Sequence, residues 1–178
     1  MPKPIRAVIL DESHADAEAM ASEWRQSGFE PVWRRVETQA DFLAALSVDV
    51  DVVLADCDLP KFDAMRALNL MRERAITIPC LVVTGPNNEE LAVLCLRRGA
   101  VDYLLKDRLA RLGPAVARAV EASRVEHAVR DNEAENNQLA HEEAVLVEIG
   151  HLMGSSIDID AVYERFADRV AALIPFDR

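Results

Sequence analysis

Short apolar runs alternate with helix-patterned stretches through residues 5–112, and this alternation restricts the fold more than any other feature of the 178-residue chain. Four of the runs are rich in Val, Ile and Leu, as buried strands are, and the second run, 31–36, is a weaker strand that contains Trp33. The stretches between the runs repeat apolar residues at helical spacing. Five strands separated by helices predict an α/β fold with one five-stranded, doubly wound parallel sheet. The predicted strands are residues 5–10, 31–36, 50–55, 78–83 and 101–105, and the helices between them are 14–27, 38–46, 62–71 and 87–98.

Reactive side chains follow four of the five predicted strands. Asp11 and Glu12 follow the first strand, Asp56 the third, Thr84 the fourth and Lys106 the fifth. The carboxyl ends of parallel strands share one edge of the sheet, and ligands bind there at the point where the strand order reverses. The sequence therefore predicts that three carboxylates, a hydroxyl and an ammonium converge on one site.

This set of groups suits a divalent cation and a phosphoryl group. Mg²⁺ prefers oxygen ligands and keeps several waters, so Asp11 and Asp56 are predicted as direct ligands and Glu12 as a ligand directly or through water. Asp56 is also the predicted nucleophile of an in-line phosphoryl transfer, in which Lys106 and Thr84 would each contact a phosphoryl oxygen. Ordinary alternatives exist: the acidic pair could cap the first helix, Thr84 could satisfy a turn, and Lys106 could be a surface lysine.

Residues 5–112 resemble the receiver domain of two-component response regulators in the ordered set Asp11-Glu12, Asp56, Thr84, Tyr103 and Lys106. The resemblance implies a flavodoxin-like sheet and transfer of a phosphoryl group to Asp56, with Mg²⁺, from a histidine kinase or a phosphotransfer protein. It also implies that the backbone carbonyl of Cys57 is a further metal ligand. Thr84 and Tyr103 would then be switch residues, with Thr84 moving toward the phosphoryl group and Tyr103 turning inward.

Three positions distinguish this chain from the usual receiver pattern. Asp107 follows Lys106 where the family usually has a proline with a cis peptide bond. Because a cis bond before any other residue costs about 3 kcal/mol, the loop is expected to differ in shape. Ala64 stands where the family usually has glycine, which leaves the conformation of that loop open. Asp58 adds a carboxylate two residues after Asp56, and we hypothesise that it alters the lifetime of the phosphoryl group.

After Lys106 the sequence has a continuous helical composition from about Leu109 to Met153, with Gly113-Pro114 as one possible break. Several residues of its sevenfold repeat are polar, which predicts a weak coiled coil and a homodimer through residues 115–153. The alternative is a solvated helix with accidental spacing. The repeat consists of Val125, Asn132, Leu139, Leu146 and Met153, with Val129, Asn136, Glu143 and Gly150 four residues after the first four of them.

Residues 154–178 resemble the opening helix of a GAF domain, and their apolar face has nothing in the same stretch to cover it. The chain is therefore predicted to contain a receiver domain (1–112), a signalling helix (113–153) and the start of a GAF-like domain (154–178). Receivers joined by a helix to such sensor domains occur in hybrid histidine kinases and in regulators with nucleotide-cyclase outputs. The parent protein could thus be an enzyme, although these residues contain no kinase ATP site.

Composition excludes several classes of function. The net charge of −11 argues against a nucleic-acid surface, which needs clustered Lys and Arg. No apolar run approaches the ~20 residues of a membrane span. Three cysteines inside apolar runs, at Cys57, Cys80 and Cys95, indicate reduced, mostly buried thiols in a cytoplasmic protein. Three hypotheses remain: a phosphoacceptor module, a regulatory fragment of a histidine kinase or nucleotide cyclase, and a dimerisation scaffold independent of phosphorylation.

Overall fold

A computed structural model describes residues 4–46 and 49–155, and the chain divides into two compact units after His127. The strands of the first unit alternate with helices, as predicted, and each predicted boundary in residues 5–112 lies within two residues of the observed one. The elements are β1 (Pro4–Leu10), α1 (His14–Gln26), β2 (Glu30–Val36), α2 (Gln39–Ala45), β3 (Val52–Ala55), α3 (Ala64–Glu73), β4 (Cys80–Thr84), α4 (Glu89–Arg97), β5 (Asp102–Leu105), a 3₁₀ turn (Leu109–Arg111) and α5 (Leu112–Ser155).

The five strands form one parallel sheet in the order β2-β1-β3-β4-β5. This confirms the predicted fold class. The chain first winds outward from β1 to β2 and then crosses to β3 on the other side, so the strand order reverses between β1 and β3. Ligands of such sheets bind beyond the carboxyl ends of the strands at this reversal.

The core lies on both faces of the sheet, because successive strand residues point to opposite sides. Val53 and Ala55 of β3 pack on the face covered by α2, α3 and α4. Val52 and Leu54 pack on the opposite face, against α1 and the start of α5. Both faces are apolar along β3, which is typical of a central strand of a parallel sheet.

Thr38 and Asn88 precede α2 and α4 and are of residue types that often cap helices, but only one of them does so. Thr38 caps α2, since its Oγ1 atom accepts a hydrogen bond of 3.1 Å from the backbone N–H of Asp41. Asn88 occupies the cap position of α4, but its side chain makes no capping hydrogen bond. Its amide instead donates to Asp58 Oδ2 at 2.9 Å, which links α4 to the loop after β3.

Helix α5 begins with Pro114 in its first turn, where the missing N–H of proline is tolerated, so the Gly113-Pro114 pair does not interrupt the helix. The first turns of α5 belong to the core of the first unit and extend past residue 112, the predicted end of the receiver domain. Their buried residues are Leu112, Ala115, Val116, Ala119 and Val120.

Gly113 of α5 lies close to Ser27, the residue that ends α1. A Cβ atom added there would lie 2.4 Å from Ser27 Cβ and 2.6 Å from Ser27 Oγ. We expect Gly113→Ala to reduce the free energy of unfolding by about 1–3 kcal/mol, since overpacked sites force the backbone to shift. Urea denaturation followed by tryptophan fluorescence measures the change. Gly85→Ala is the control, because the nearest atom to its added Cβ is 4.0 Å away; equal stability of the two variants would contradict the close approach.

All three cysteines are free and buried, as predicted. Burial raises the pKa of Cys80 to about 12 and that of Cys95 to about 11, so both thiols are protonated at neutral pH. Within residues 4–46 and 49–155, no helix has the length and apolar character required to cross a bilayer.

Candidate functional site

The predicted reactive residues meet at the carboxyl edge of the sheet. Asp11 follows β1, Asp56 follows β3, Thr84 ends β4 and Lys106 follows β5. Backbone hydrogen bonds hold these strand ends in register: Asp56 N–H donates to Leu10 O at 3.0 Å, and Lys106 N–H donates to Thr84 O at 2.8 Å. The side chains of all four residues lie in one connected cluster.

The Asp56 carboxylate is the centre of this cluster and is only 7% exposed. Its Oδ1 atom accepts hydrogen bonds of 3.0 Å from the Thr84 hydroxyl and from the backbone N–H of Asp58. Its Oδ2 atom lies 2.7 Å from Lys106 Nζ. Both oxygens are therefore fixed by positively polarised or charged groups.

Lys106 forms ion pairs of 2.7 Å with Asp11, Asp16 and Asp56. Burial of the Lys106 ammonium opposes its protonation, but the three carboxylates outweigh burial and raise its pKa above the usual value. Asp11 is fully buried, and this burial raises its pKa although the neighbouring ammonium counteracts the effect. The lysine thus remains charged and partly compensates the acidic groups around it.

The two buried carboxylates fit a small cation. Asp11 Oδ2 and Asp56 Oδ2 both contact one nitrogen atom, so one positive centre bridges them. Asp11 Oδ2 is buried and contacts the Lys106 ammonium but no other hydrogen-bond donor in the described part of the chain, so a cation that displaced the ammonium would meet this oxygen directly. No group of three His, Cys, Asp or Glu side chains in that part of the chain is placed to hold an ion. This donor set suits Mg²⁺, which needs one or two carboxylates and completes its coordination with water.

The other predicted site residues surround this pair. The Glu12 side chain is exposed next to Asp11. Cys57 follows Asp56 directly, and its thiol donates to Thr84 Oγ1 at 3.2 Å. Burial raises the pKa of this thiol, so it remains protonated and able to donate. Tyr103 is half-buried on β5 and packs against the core on the α4 side of the sheet.

Two of the positions that distinguish the chain from the usual pattern have ordinary backbone geometry. Ala64 begins α3, and its N–H donates to the Asp56 carbonyl at 2.8 Å. The described residues contain no cis peptide bond, so the bond between Lys106 and Asp107 is trans. Alanine in place of glycine is therefore compatible with the loop that carries Asp56.

The sequence did not predict that Asp16 and Arg35 lie in the site. Asp16 is in the first turn of α1 and contacts Lys106. Arg35 Nη1 donates to the carbonyl oxygens of Asp11 and Glu12, both at 3.1 Å, and pairs with Glu37. This guanidinium fixes the loop that carries the acidic pair. Arg35 pairs with Ile9 in the sheet, which explains its position. The sequence could have indicated this contact only through a prediction that β2 lies beside β1.

The model of the response regulator receiver domain matches residues 7–117, more than half of the chain. The chain therefore belongs to the response regulator receiver domain family. Receiver domains of two-component systems generally bind Mg²⁺ at the phosphorylation site and interact with histidine kinases or phosphotransfer proteins.

Curated relatives include two regulators of Escherichia coli strain K12. The chain is 38% identical over 63 residues to the nitrate/nitrite response regulator protein NarL, covering 35% of this chain and 29% of NarL. It is 30% identical over 126 residues to the regulatory protein AtoC, covering 70% of this chain and 27% of AtoC. The chain thus spans less than a third of the length of either relative.

Solved structures with this fold include NtrX from Brucella abortus and a response regulator receiver domain protein from Clostridium thermocellum. The NtrX match has a TM-score of 0.61 and 26% identity, and covers 72% of this chain and 29% of NtrX. The Clostridium match has a TM-score of 0.58 and 18% identity, and covers 68% of this chain and 98% of that domain. At 18% identity the second match shows the fold alone.

Proposed function

We propose that this chain is the phosphoacceptor receiver of a two-component phosphorelay, in which Asp56 accepts a phosphoryl group from the phosphohistidine of a histidine kinase or a phosphotransfer protein. The observation that carries the proposal is the environment of the Asp56 carboxylate. It is buried beyond the end of β3 and contacts both the Thr84 hydroxyl and the Lys106 ammonium.

In the proposed reaction, an Asp56 carboxylate oxygen bonds to phosphorus while the P–N bond of the phosphohistidine breaks, and the imidazole leaves with the electron pair. Lys106 and Thr84 would move from the carboxylate oxygens to phosphoryl oxygens and compensate their charge. Asp11, Asp56 and the Cys57 carbonyl would hold Mg²⁺, with Glu12 acting directly or through water. Bound Mg²⁺ supplies positive charge that reduces the repulsion between carboxylate and phosphoryl group. Positioning and charge stabilisation are the main demands of phosphoryl transfer.

Thr84 and Tyr103 are the proposed switch residues. The Thr84 hydroxyl already donates to Asp56, so a short shift would bring it to a phosphoryl oxygen. Thr84 also accepts from Cys57, whose thiol lies 3.9 Å from Asn88 O at the start of α4. Movement of Thr84 would therefore reach α4, and Tyr103, packed on the same side of the sheet, would turn further inward.

A magnesium requirement tests this function directly. We expect incorporation of one phosphoryl group from acetyl phosphate in the presence of Mg²⁺, no incorporation after addition of EDTA, and recovery when Mg²⁺ is restored. Intact-protein mass spectrometry measures the increase in mass. A chain that takes up no phosphate under any of these conditions would instead favour the dimerisation scaffold.

We further propose that α5 forms a weak parallel coiled coil and carries the signal to a downstream domain. Every described side chain from Ala128 to Leu146 is exposed. Three apolar side chains of this stretch, Val129, Val145 and Leu146, are 51%, 41% and 68% exposed. Val129 and Leu146 belong to the sevenfold repeat, so a second copy of the helix would cover them.

The chain spans less than a third of NarL and AtoC, so the domains that accompany the receiver in the parent protein are a matter of proposal. We propose a boundary between receiver and signalling helix near residue 127 in place of 112, because α5 contributes to the receiver core through Val120. Residues 156–178, most of the predicted GAF-like segment, lie outside the described residues. A regulatory fragment of a cytoplasmic hybrid histidine kinase, or of a regulator with a nucleotide-cyclase output, is the second candidate.

Asp58 is predicted to shorten the life of the phosphorylated state. One of its carboxylate oxygens accepts a hydrogen bond from Asn88, and because the residue is exposed we expect the other oxygen to accept one from an attacking water. We expect Asp58→Asn to lengthen the dephosphorylation half-life by about fivefold, since a hydrogen bond to a charged group contributes ~1 kcal/mol or more.

Loss of label after removal of the phosphodonor gives this half-life. Glu73→Gln, which removes the same charge at the exposed end of α3, is the matched control and should behave as the wild type. Equal half-lives for wild type and Asp58→Asn would refute the role of Asp58.

A further inference from the structure

Asp16 contacts the reactive lysine but has no part in the reaction proposed above. It lies in the first turn of α1, where its backbone N–H donates to Ser13 Oγ at 3.1 Å. Its side chain is 41% exposed, and its Oδ2 atom accepts a directed hydrogen bond of 2.7 Å from Lys106 Nζ. The helix cap thus fixes the backbone from which this carboxylate reaches the lysine.

The same ammonium also occupies the position between Asp11 Oδ2 and Asp56 Oδ2, at 2.7 Å from each. These are the oxygens that the proposed metal ion requires. A divalent cation and the ammonium cannot share them, because like charges at such short range repel strongly. Binding of the ion therefore requires Lys106 to leave both carboxylates while it stays close enough to meet a phosphoryl oxygen.

We propose that Asp16 is a positioning residue that keeps the Lys106 ammonium at the edge of the site when a divalent cation binds to Asp11 and Asp56. This inference rests on the proposed function of the site. An ammonium has three donors, so Lys106 can keep its bond to Asp16 and direct another donor toward the phosphoryl group. Without Asp16, the lysine has Asp11 and Asp56 as its remaining partners and competes with the ion for them.

The proposal predicts weaker Mg²⁺ binding when Asp16 is neutralised. We expect Asp16→Asn to raise the Mg²⁺ dissociation constant about fivefold. In free energy, this change corresponds to the loss of a partly exposed ion pair at the upper end of the usual range for such pairs. Isothermal titration calorimetry of the full chain with MgCl₂ measures this constant. Glu18→Gln is the matched control, because Glu18 is an exposed carboxylate on the same helix and pairs with Arg25 instead. Asp16→Glu keeps the charge and should bind Mg²⁺ nearly as the wild type does.

A double-mutant cycle distinguishes a role of Asp16 in positioning Lys106 from a direct effect of the Asp16 negative charge on the bound ion. In the Lys106→Met background there is no ammonium to compete, so adding Asp16→Asn should change the Mg²⁺ dissociation constant by less than about twofold if the effect passes through the lysine. An equal loss of affinity in both backgrounds would show that Asp16 acts only through its charge, and would overturn the proposal. Lys106→Gln serves as a second background if the methionine variant does not fold by circular dichroism.

Measurements on the wild type and on Asp16→Asn separate the role of Asp16 from the function of the site. If the wild type binds no Mg²⁺ and takes up no phosphate, the function itself is wrong. If the wild type binds Mg²⁺ and Asp16→Asn binds it equally well, only the role of Asp16 is wrong.

Discussion

Replacement of Asp56 by asparagine is expected to abolish phosphate incorporation from acetyl phosphate. The amide is not a nucleophile toward phosphorus, but its oxygen can still accept the hydrogen bonds that Thr84 and Asp58 donate to Asp56 Oδ1. The variant should therefore fold like the wild type and lose the reaction. Intact-protein mass spectrometry in the presence of Mg²⁺ should show no added phosphoryl group.

Asp58→Asn is the matched control for this loss, because it makes the same chemical change two residues away. It should still accept one phosphoryl group, since the Asp58 side chain is exposed and contacts Asn88 rather than Lys106. Label that persists in Asp56→Asn would place the acceptor elsewhere in the chain. Unfolding curves for both variants establish that loss of label does not reflect loss of structure.

Removal of the chain beyond His127 is expected to convert a dimer into a monomer. The cut follows the first compact unit and keeps the buried residues of α5 up to Val120. It also keeps the hydrogen bonds that join Arg124 to Asp51 and His127 to Thr77. Sedimentation equilibrium of the full chain and of the shortened chain should give twice the monomer mass and the monomer mass, respectively.

A point substitution tests the same interface without truncation. Leu146 is 68% exposed and belongs to the sevenfold repeat, so Leu146→Glu should weaken the dimer by placing charge in a desolvated seam. His141→Glu is the matched control, since His141 is exposed and lies outside the repeat. Monomers for both the full and the shortened chain would refute dimerisation through α5.

Secondary structure was largely predictable from the sequence, because its determinants are local. The β-branched runs and the Thr38 cap each act within a few residues of the chain. Asn88 shows where local reasoning fails. Its sequence context favours a helix cap, but Asp58, 30 residues earlier in the chain, accepts its amide hydrogen bond instead.

The order of reactive residues was also predictable, since a parallel sheet brings all strand ends to one edge regardless of strand order. This explains why Asp11, Asp56, Thr84 and Lys106 are found together as expected. By contrast, Asp16 reaches the site from helix α1 and Arg35 reaches it from strand β2. Their positions depend on how α1 lies across the sheet and on which strand is the neighbour of β1.

The sequence by itself therefore determined the alternating fold, the boundaries of its elements and the four side chains at the strand ends. Only the tertiary structure decided that α1 contributes Asp16 to a lysine 90 residues away, that β2 contributes Arg35, and that the first turns of α5 complete the core. The physical reason is distance along the chain. Periodicity and capping report on near neighbours, whereas contacts between distant residues are fixed by strand order and helix packing.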